Sequence, residues 1–260
     1  MSEPSTTVNP FSLDGEVVFV TGGGTGLGLG IARSVVAAGG RVVVTGRRAE
    51  PLRELVDEAG ADAAAAVAGD VTDAGSRGEI LAKANAAFGR PVTCLVNNAG
   101  QHLKKPAADV TDDEFAALID THVRAGFALA RDAYPAMRDA GRGSIVFMGS
   151  MASYLGIPQV LPYTAAKCAV VGLTRALAAE WSGSGVRVNT VAPGWIDSPM
   201  SRKAFAGDPE RHQKVIGRTP AGRLGEAADI GHAVVYLCSP AAAFVTGAVL
   251  PVDGGASIGF

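Results

Sequence analysis

Seven short apolar runs, rich in β-branched residues and lacking polar alternation, recur along the chain: "EVVFV" (16–20), "RVVVT" (41–45), "AAAVA" (64–68), "VTCLV" (92–96), "SIVFM" (144–148), "VRVNTV" (186–191) and "AVLPV" (248–252). Runs of this kind suit strands buried on both faces, as in a parallel sheet covered by helices. The intervening segments have helical periodicity, as in "GLGIARSVVAAGG" and "DDEFAALIDTHVRAGFALARDAYPAM". The pattern predicts an α/β fold: a single doubly wound domain with a seven-stranded parallel sheet and helices on both faces. Residues 1–12, which include the polar start "MSEPSTTVNP", are expected to form a loose tail ahead of one domain over 13–260. Residues 193–225 break the alternation with four prolines and little strand character. An irregular stretch of that length inside a compact domain reads as a substrate lid.

Composition narrows the function. At 260 residues the chain can bury a core large enough for an enzyme. A net charge of −2 leaves no basic field for nucleic acid or an anionic membrane, so neither partner is expected. No apolar run is long enough to span a bilayer, and the start lacks the features of a signal peptide. Cys94, Cys168 and Cys238 lie far apart without CxxC spacing, which favours free thiols in a cytoplasmic protein. His102, His212 and His232 show no ligand spacing, and no metal is expected.

The first strand runs directly into "TGGGTGLGLG", where Gly22, Gly26 and Gly28, with Thr25 and Leu27 between them, form a TGxxxGxG turn ahead of a helix. Glycines at such a turn permit positive φ and let a pyrophosphate approach the helix N-terminus. The strict GxGxxG spacing is absent, and so is the Gly-Lys-Ser/Thr ending of an ATPase phosphate loop. At the end of the second strand, Gly46 stands where a carboxylate would bind the ribose hydroxyls, and Arg47 follows it. An arginine there attracts a 2′-phosphate, so NADPH/NADP+ is favoured, with NADH/NAD+ left open. The other reading is that Arg47 and Arg48 are solvated charges at a helix start.

"LPYTAAKCAV" (161–170) places Tyr163 and Lys167 four residues apart on one helix face. With the glycine turn, "NNAG" (97–100), "YTAAK" (163–167) and "APGWIDS" (192–198) in order on one domain, the chain resembles the short-chain dehydrogenase/reductase family from Gly15 to Gly255. Within the family it looks most like the 3-oxoacyl reductase branch. The resemblance implies an oxidoreductase that interconverts a ketone and a secondary alcohol, with Tyr163 as general acid/base assisted by Lys167 and Ser150. Ser153 is the runner-up for the serine. It also implies cofactor contacts from Asp70 and Val71 at the adenine, from Asn98, Ala99 and Gly100 on the ribose side, from Lys167 at the nicotinamide ribose, and from Pro193, Gly194 and Ile196 at the carboxamide. Asn97 is expected to tie strand ends together. A homotetramer is implied as well, built on the helices around 112–140 and 160–182.

Tyrosine titrates near pH 10, so activity near neutrality calls for about 4 kcal/mol of help. A unit charge about 4 Å away at an effective dielectric of about 20 supplies roughly that amount. Lys167, helped by an oxidised nicotinamide ring, is expected to provide it. One departure from the family pattern is "IDTHVRAGF", where His122 replaces the asparagine that holds a water in the proton path. It either keeps the relay, adding a group that titrates near physiological pH, or is a satisfied buried histidine. The substrate pocket is expected from Gln101–Lys105, Met151–Val160 and the segment after Trp195. Lys104 and Lys105 suit an anionic tail, and the substrate is a 3-oxoacyl thioester, a sugar acid, a polyol or a hydroxysteroid. The alternative is a dinucleotide-binding regulator without turnover.

Overall fold

Val17–Thr21, the first strand (β1), is followed by a glycine turn and helix α1 (Gly26–Ala37). In this computed structural model, which describes residues 9–259, the unit then repeats: β2 (Arg41–Gly46), α2 (Ala49–Ala59), β3 (Ala64–Ala68), α3 (Ala74–Ala86) and β4 (Cys94–Asn97). The second half runs α4 (Asp112–Ile119), α5 (Ala125–Asp139), β5 (Gly143–Met148), α6 (Leu161–Trp181) and β6 (Val186–Pro193). Helices α7 (Pro199–Phe205), α8 (Pro209–Gly217) and α9 (Ala227–Cys238) precede β7 (Val249–Val252). The strands form one parallel sheet in the order β3-β2-β1-β4-β5-β6-β7. The chain reverses direction across the sheet between β1 and β4, and in open sheets of this kind ligands bind beyond the strand ends at that point.

Every expected apolar run is a strand; in the central strands alternate residues enter opposite cores, whereas β7 packs Leu250 and Val252 on one of them. Val18 and Val20 of β1 join Val42, Val44, Val96 and Val146 beneath Ile31, Val35, Ile230 and Val234 of α1 and α9. Val17 and Phe19 face the other way, with Leu95, Ile145 and Val188 under Leu129, Met137, Leu177 and Trp181 of α5 and α6. Each such side chain contributes about 1.5–3 kcal/mol by leaving water, and that holds the helices on both faces.

Three local findings differ from the sequence expectation. Of the tail expected over 1–12, residues 1–8 lie outside the described residues. The rest is docked: Ala241 donates its N–H to Pro10 O at 2.8 Å, and Phe11 packs 6.1 Å from the Tyr236 ring. The 193–225 segment contains two helices, α7 and α8, over about half its length. Ser198 caps α7 through a reciprocal bond with Ser201, Pro199 opens the helix, and an isolated bridge joins Ile196 to Gly225. Proline at a first turn starts helices as readily as it breaks them, which the irregular reading overlooked. Finally, α4 and α5 are joined by a wide π-helical turn, Asp120–Arg124, that turns His122 into the core. Among the described residues, no helix is long and apolar enough to cross a membrane.

Candidate active site

Beyond the carboxyl ends of the central strands, the glycine turn makes the first wall. Gly22 and Gly26 have φ of +66° and +56°, conformations that other residues rarely adopt. A Cβ on Gly28 would come within 2.1 Å of Gly22 O, so the helix can lie this close to the turn only as glycine. A Cβ on Gly26 would meet nothing within 4 Å, since that face of the turn is open. Thr25 makes no side-chain cap, and no acid stands in the first turn of α1. The unpaired N–H groups and the positive end of the helix therefore face the opening, and the residues fit a pyrophosphate.

Arg47 and Arg48 are exposed beside this wall. Among the described residues neither forms an ion pair, and Arg47 lies near enough to Asp70 to help hold its carboxyl below the ordinary range. The larger causes of that shift are the Thr72 N–H and hydroxyl, at 2.9 and 2.7 Å from Asp70 Oδ1. Val71 is buried next to it.

Thr21, which sequence reasoning missed, organises the end of β4. Its hydroxyl oxygen accepts the N–H of Asn98 at 3.0 Å and of Ala99 at 2.9 Å. The Asn98 amide donates to the carbonyls of Thr21 (2.9 Å) and Gly22 (3.2 Å). The backbone tie expected of Asn97 is made instead by Asn98. Asn98, expected to meet the cofactor, ties β4 to the glycine turn, because its register lets the amide reach across to β1. Asn97, expected to tie strands, has both amide atoms buried without a protein partner. It lines a cavity of about 10 Å³, shared with Thr21, Ala99, His122 and Lys167, which has room for a single water.

The catalytic candidates meet where α6 passes the end of β5. Ser150 follows β5, accepts the Ala152 N–H at 3.1 Å and lies near enough to the Tyr163 phenol to oppose the rise in its pKa. Ser153 lies apart from this group, its hydroxyl spent on Lys167 O at 3.0 Å. Lys167 is buried, its Nζ donating to Met148 O at 2.7 Å and lying 5.3 Å from the Tyr163 ring centroid. Burial pushes the ammonium down to about 7. It also raises the Tyr163 phenol above its ordinary value, against the opposing bond from Ser150. The phenol is expected to be acidified by Lys167 together with an oxidised nicotinamide; burial at this depth leaves the lysine only part of its charge near neutrality, so more of that task falls to the nicotinamide.

Two imidazoles flank the tyrosine. His122 meets the ring edge-on, 5.4 Å between centroids at 86°, and His102 lies 5.1 Å away at 53°. His122 Nε2 is 2.8 Å from Gln101 O and 3.3 Å from Gln101 N, and the shorter contact fixes the tautomer that donates from Nε2. Burial, then the Lys167 charge, pushes its pKa to about 3. His122 is therefore neutral at physiological pH and adds no titrating group there. A Cβ on Gly100 would sit 2.5 Å from its ring, so the glycine makes room for the imidazole. Across the cleft, Gly194 donates its N–H to Val252 O at 3.0 Å, and a Cβ there would strike Asp253 Cα at 2.5 Å. Pro193 and Ile196 on either side are buried.

A glycine turn at a topological switch point, with serine, tyrosine and lysine gathered beside it, defines a dinucleotide-dependent oxidoreductase. Residues 22–257 match a family model described as enoyl-(acyl carrier protein) reductase. The chain is 42% identical over 250 residues to galactitol 2-dehydrogenase (L-tagatose-forming) of Cereibacter sphaeroides, covering 95% of this chain and 97% of that one. It is 36% identical over 249 residues to 2-dehydro-3-deoxy-D-gluconate 5-dehydrogenase of Bacillus subtilis, covering 94% and 96%. A gluconate 5-dehydrogenase of Burkholderia cenocepacia, solved with NADP and tartrate, superposes with a TM-score of 0.89 at 32% identity, covering 96% and 98%. The chain belongs to the short-chain dehydrogenase/reductase family. It is an NAD(P)-dependent oxidoreductase that interconverts a ketone and a secondary alcohol.

Proposed function

We propose that this protein is an NADP(H)-preferring dehydrogenase of polyols or sugar acids, with Tyr163 as the general acid/base. The observation that carries the reading is the convergence of Ser150, Tyr163 and Lys167 where α6 passes the end of β5, with Lys167 Nζ held by Met148 O at 2.7 Å and 5.3 Å from the Tyr163 ring centroid. Bound dinucleotide supplies or takes up hydride at its nicotinamide and, when oxidised, brings a positive charge. Ser150 would hold the substrate oxygen, and Tyr163 Oη, ionised beside the positive charge of an oxidised nicotinamide, would take the alcohol's proton as the ketone forms, or as the neutral phenol give it up in reduction. Lys167, held by Met148 O, sets the position of the tyrosine's helix face and of the nicotinamide ribose. Gly22, Thr25, Gly26, Leu27 and Gly28 hold the pyrophosphate, Asp70 and Val71 the adenine, and Ala99 and Gly100 the ribose side. Pro193, Gly194 and Ile196 hold the carboxamide.

Among the substrate classes, polyols and sugar acids gain support from the named relatives and from the fate of the two lysines. Lys105 binds both Glu114 carboxylate oxygens, at 2.9 and 2.8 Å, which removes half of the cationic pair suited to a thioester's phosphorylated arm. A regulator without turnover would need neither the serine nor the tyrosine in reacting contact. The test is oxidation of a polyol and sugar-acid panel with NADP+, followed as NADPH absorbance. Turnover of 3-oxoacyl thioesters but of no polyol or sugar acid would overturn the substrate assignment.

Arg47→Ala is expected to raise the Kd for NADPH about tenfold to a hundredfold and to leave that for NADH unchanged, the usual worth of a charge-assisted phosphate contact. Fluorescence titration with both nucleotides measures it. His122→Asn is expected to keep turnover within about tenfold of wild type, roughly 1.4 kcal/mol in barrier, because a neutral imidazole bonded to Gln101 O is replaceable by an amide. Steady-state kcat decides that point.

The 193–225 segment, with α7 and α8, is read as the substrate lid. The half-exposed Phe115, Phe127 and Leu161 on α4, α5 and α6 support a homotetramer built on these helices, which sedimentation measures. The free thiols Cys94, Cys168 and Cys238 support a cytoplasmic location.

A further inference from the structure

Asn97 ends β4 with both atoms of its amide buried and without a protein partner. An amide left so is costly, and folded chains keep one only where something else completes it. Helix α5 closes one side of the group, since a Cβ on Gly126 would sit 3.6 Å from Asn97 Cγ. Asn97 also lines the cavity of about 10 Å³ that has room for a single water. Other polar side chains on that lining are spent. Thr21 Oγ1 accepts the Asn98 and Ala99 N–H groups, and His122 gives its Nε2 proton to Gln101 O. Thr121 Oγ1 accepts from Gln101 Nε2 at 3.0 Å and donates to Ala117 O at 2.9 Å. Lys167 differs: its ammonium has three donors, and among the described residues Met148 O, at 2.7 Å, is its one acceptor. The cavity thus joins an ammonium with donors to spare and an amide with an oxygen to spare, and a water accepts from the first while donating to the second.

We propose that Asn97 is a positioning residue that acts through Lys167: its amide anchors a single buried water against the ammonium, and that water keeps the lysine charged beside Tyr163. The consequence for the reaction rests on the reading of Tyr163 and Lys167 above. Burial pushes the ammonium down to about 7, and a bound water returns part of the hydration that burial removes. The titratable groups around the lysine do not supply this. Tyr163 shares its helix, His122 stands neutral on the π-helical turn, and His102 packs on Tyr163 from the loop after β4. From β4 and β5, Asn97 and Met148 bring no charge, and burial alone shifts the lysine.

The test measures Tm from about pH 5 to about pH 11 for wild type, Asn97→Leu and Asn97→Ala, each with and without Lys167→Met. In every background the gain from Lys167→Met grows as pH falls and levels off at the pKa of the folded lysine. Leucine matches the amide in size without its hydrogen bonds, and is expected to lower that levelling point by about one unit, the worth of about one charge-assisted bond. Alanine leaves room for a second water in place of the amide, and is expected to move it less than about half as far. A packing role alone would lower Tm in both variants, more with alanine, and leave the levelling point fixed. An unmoved levelling point in Asn97→Leu, or an alanine shift as large as that of leucine, overturns the inference. So does a Lys167→Met effect that is independent of pH in every background. If the leucine shift appears while Tyr163→Phe keeps full turnover, the role of Asn97 stands and the reading of Tyr163 falls.

Discussion

Tyr163→Phe is expected to lower kcat by about a thousandfold while leaving the Kd for NADPH within about twofold of wild type. The phenol beside Ser150 can both give and take a proton, and a positioned acid/base contributes about 10²–10⁴ in rate. The ring itself, packed between His102 and His122, is kept by phenylalanine, so the fold and the glycine turn are undisturbed. Single-turnover hydride transfer with pre-bound nucleotide separates the loss of chemistry from any loss of binding. Turnover within tenfold of wild type would remove Tyr163 from the mechanism.

Lys167→Met is expected to abolish most turnover and yet stabilise the protein near neutral pH. The unfolded lysine takes up its proton below the ordinary value of 10.5, whereas the folded one does so only near 7. Between these values the unfolded state binds more protons, so stability falls as pH drops through that window and stays reduced below it. Methionine fills similar space without the charge. It leaves Met148 O without its donor, which costs about 1–3 kcal/mol and offsets part of the gain. A net gain of about 2 kcal/mol, or roughly 5 °C in Tm, is expected at pH 7, and above pH 10.5 it should reverse to a loss of about 1–3 kcal/mol as only the missing bond to Met148 O remains. Thermal unfolding of both proteins across that range reads the difference directly. A variant less stable than wild type at pH 7 would show that the ammonium's bonds outweigh its burial.

The stretch Gln101–Lys105 was legible as a pocket wall, but not that its two ends are anchored to α4 through Ala117 and Glu114. Thr21 was missed for a similar reason. Only when β1 and β4 lie side by side do the Asn98 and Ala99 amides reach its hydroxyl. Ser150, by contrast, was chosen over Ser153 by register with Tyr163, and the structure puts Ser150 against the phenol and Ser153 on the helix backbone.

The sequence by itself determined the strands and their class of sheet, since a run apolar on both faces has no stable place except between two layers of helices. It also determined the order of the glycine turn, serine, tyrosine and lysine, because covalent spacing along a strand or helix is local. What only the tertiary structure decided was electrostatic and lateral. How far Lys167 loses its charge, whether Asn97 or Asn98 spends its amide on the backbone, and what His122 bonds all depend on which groups displace water around them. That is a property of neighbours brought together by the fold, which no spacing along the chain encodes.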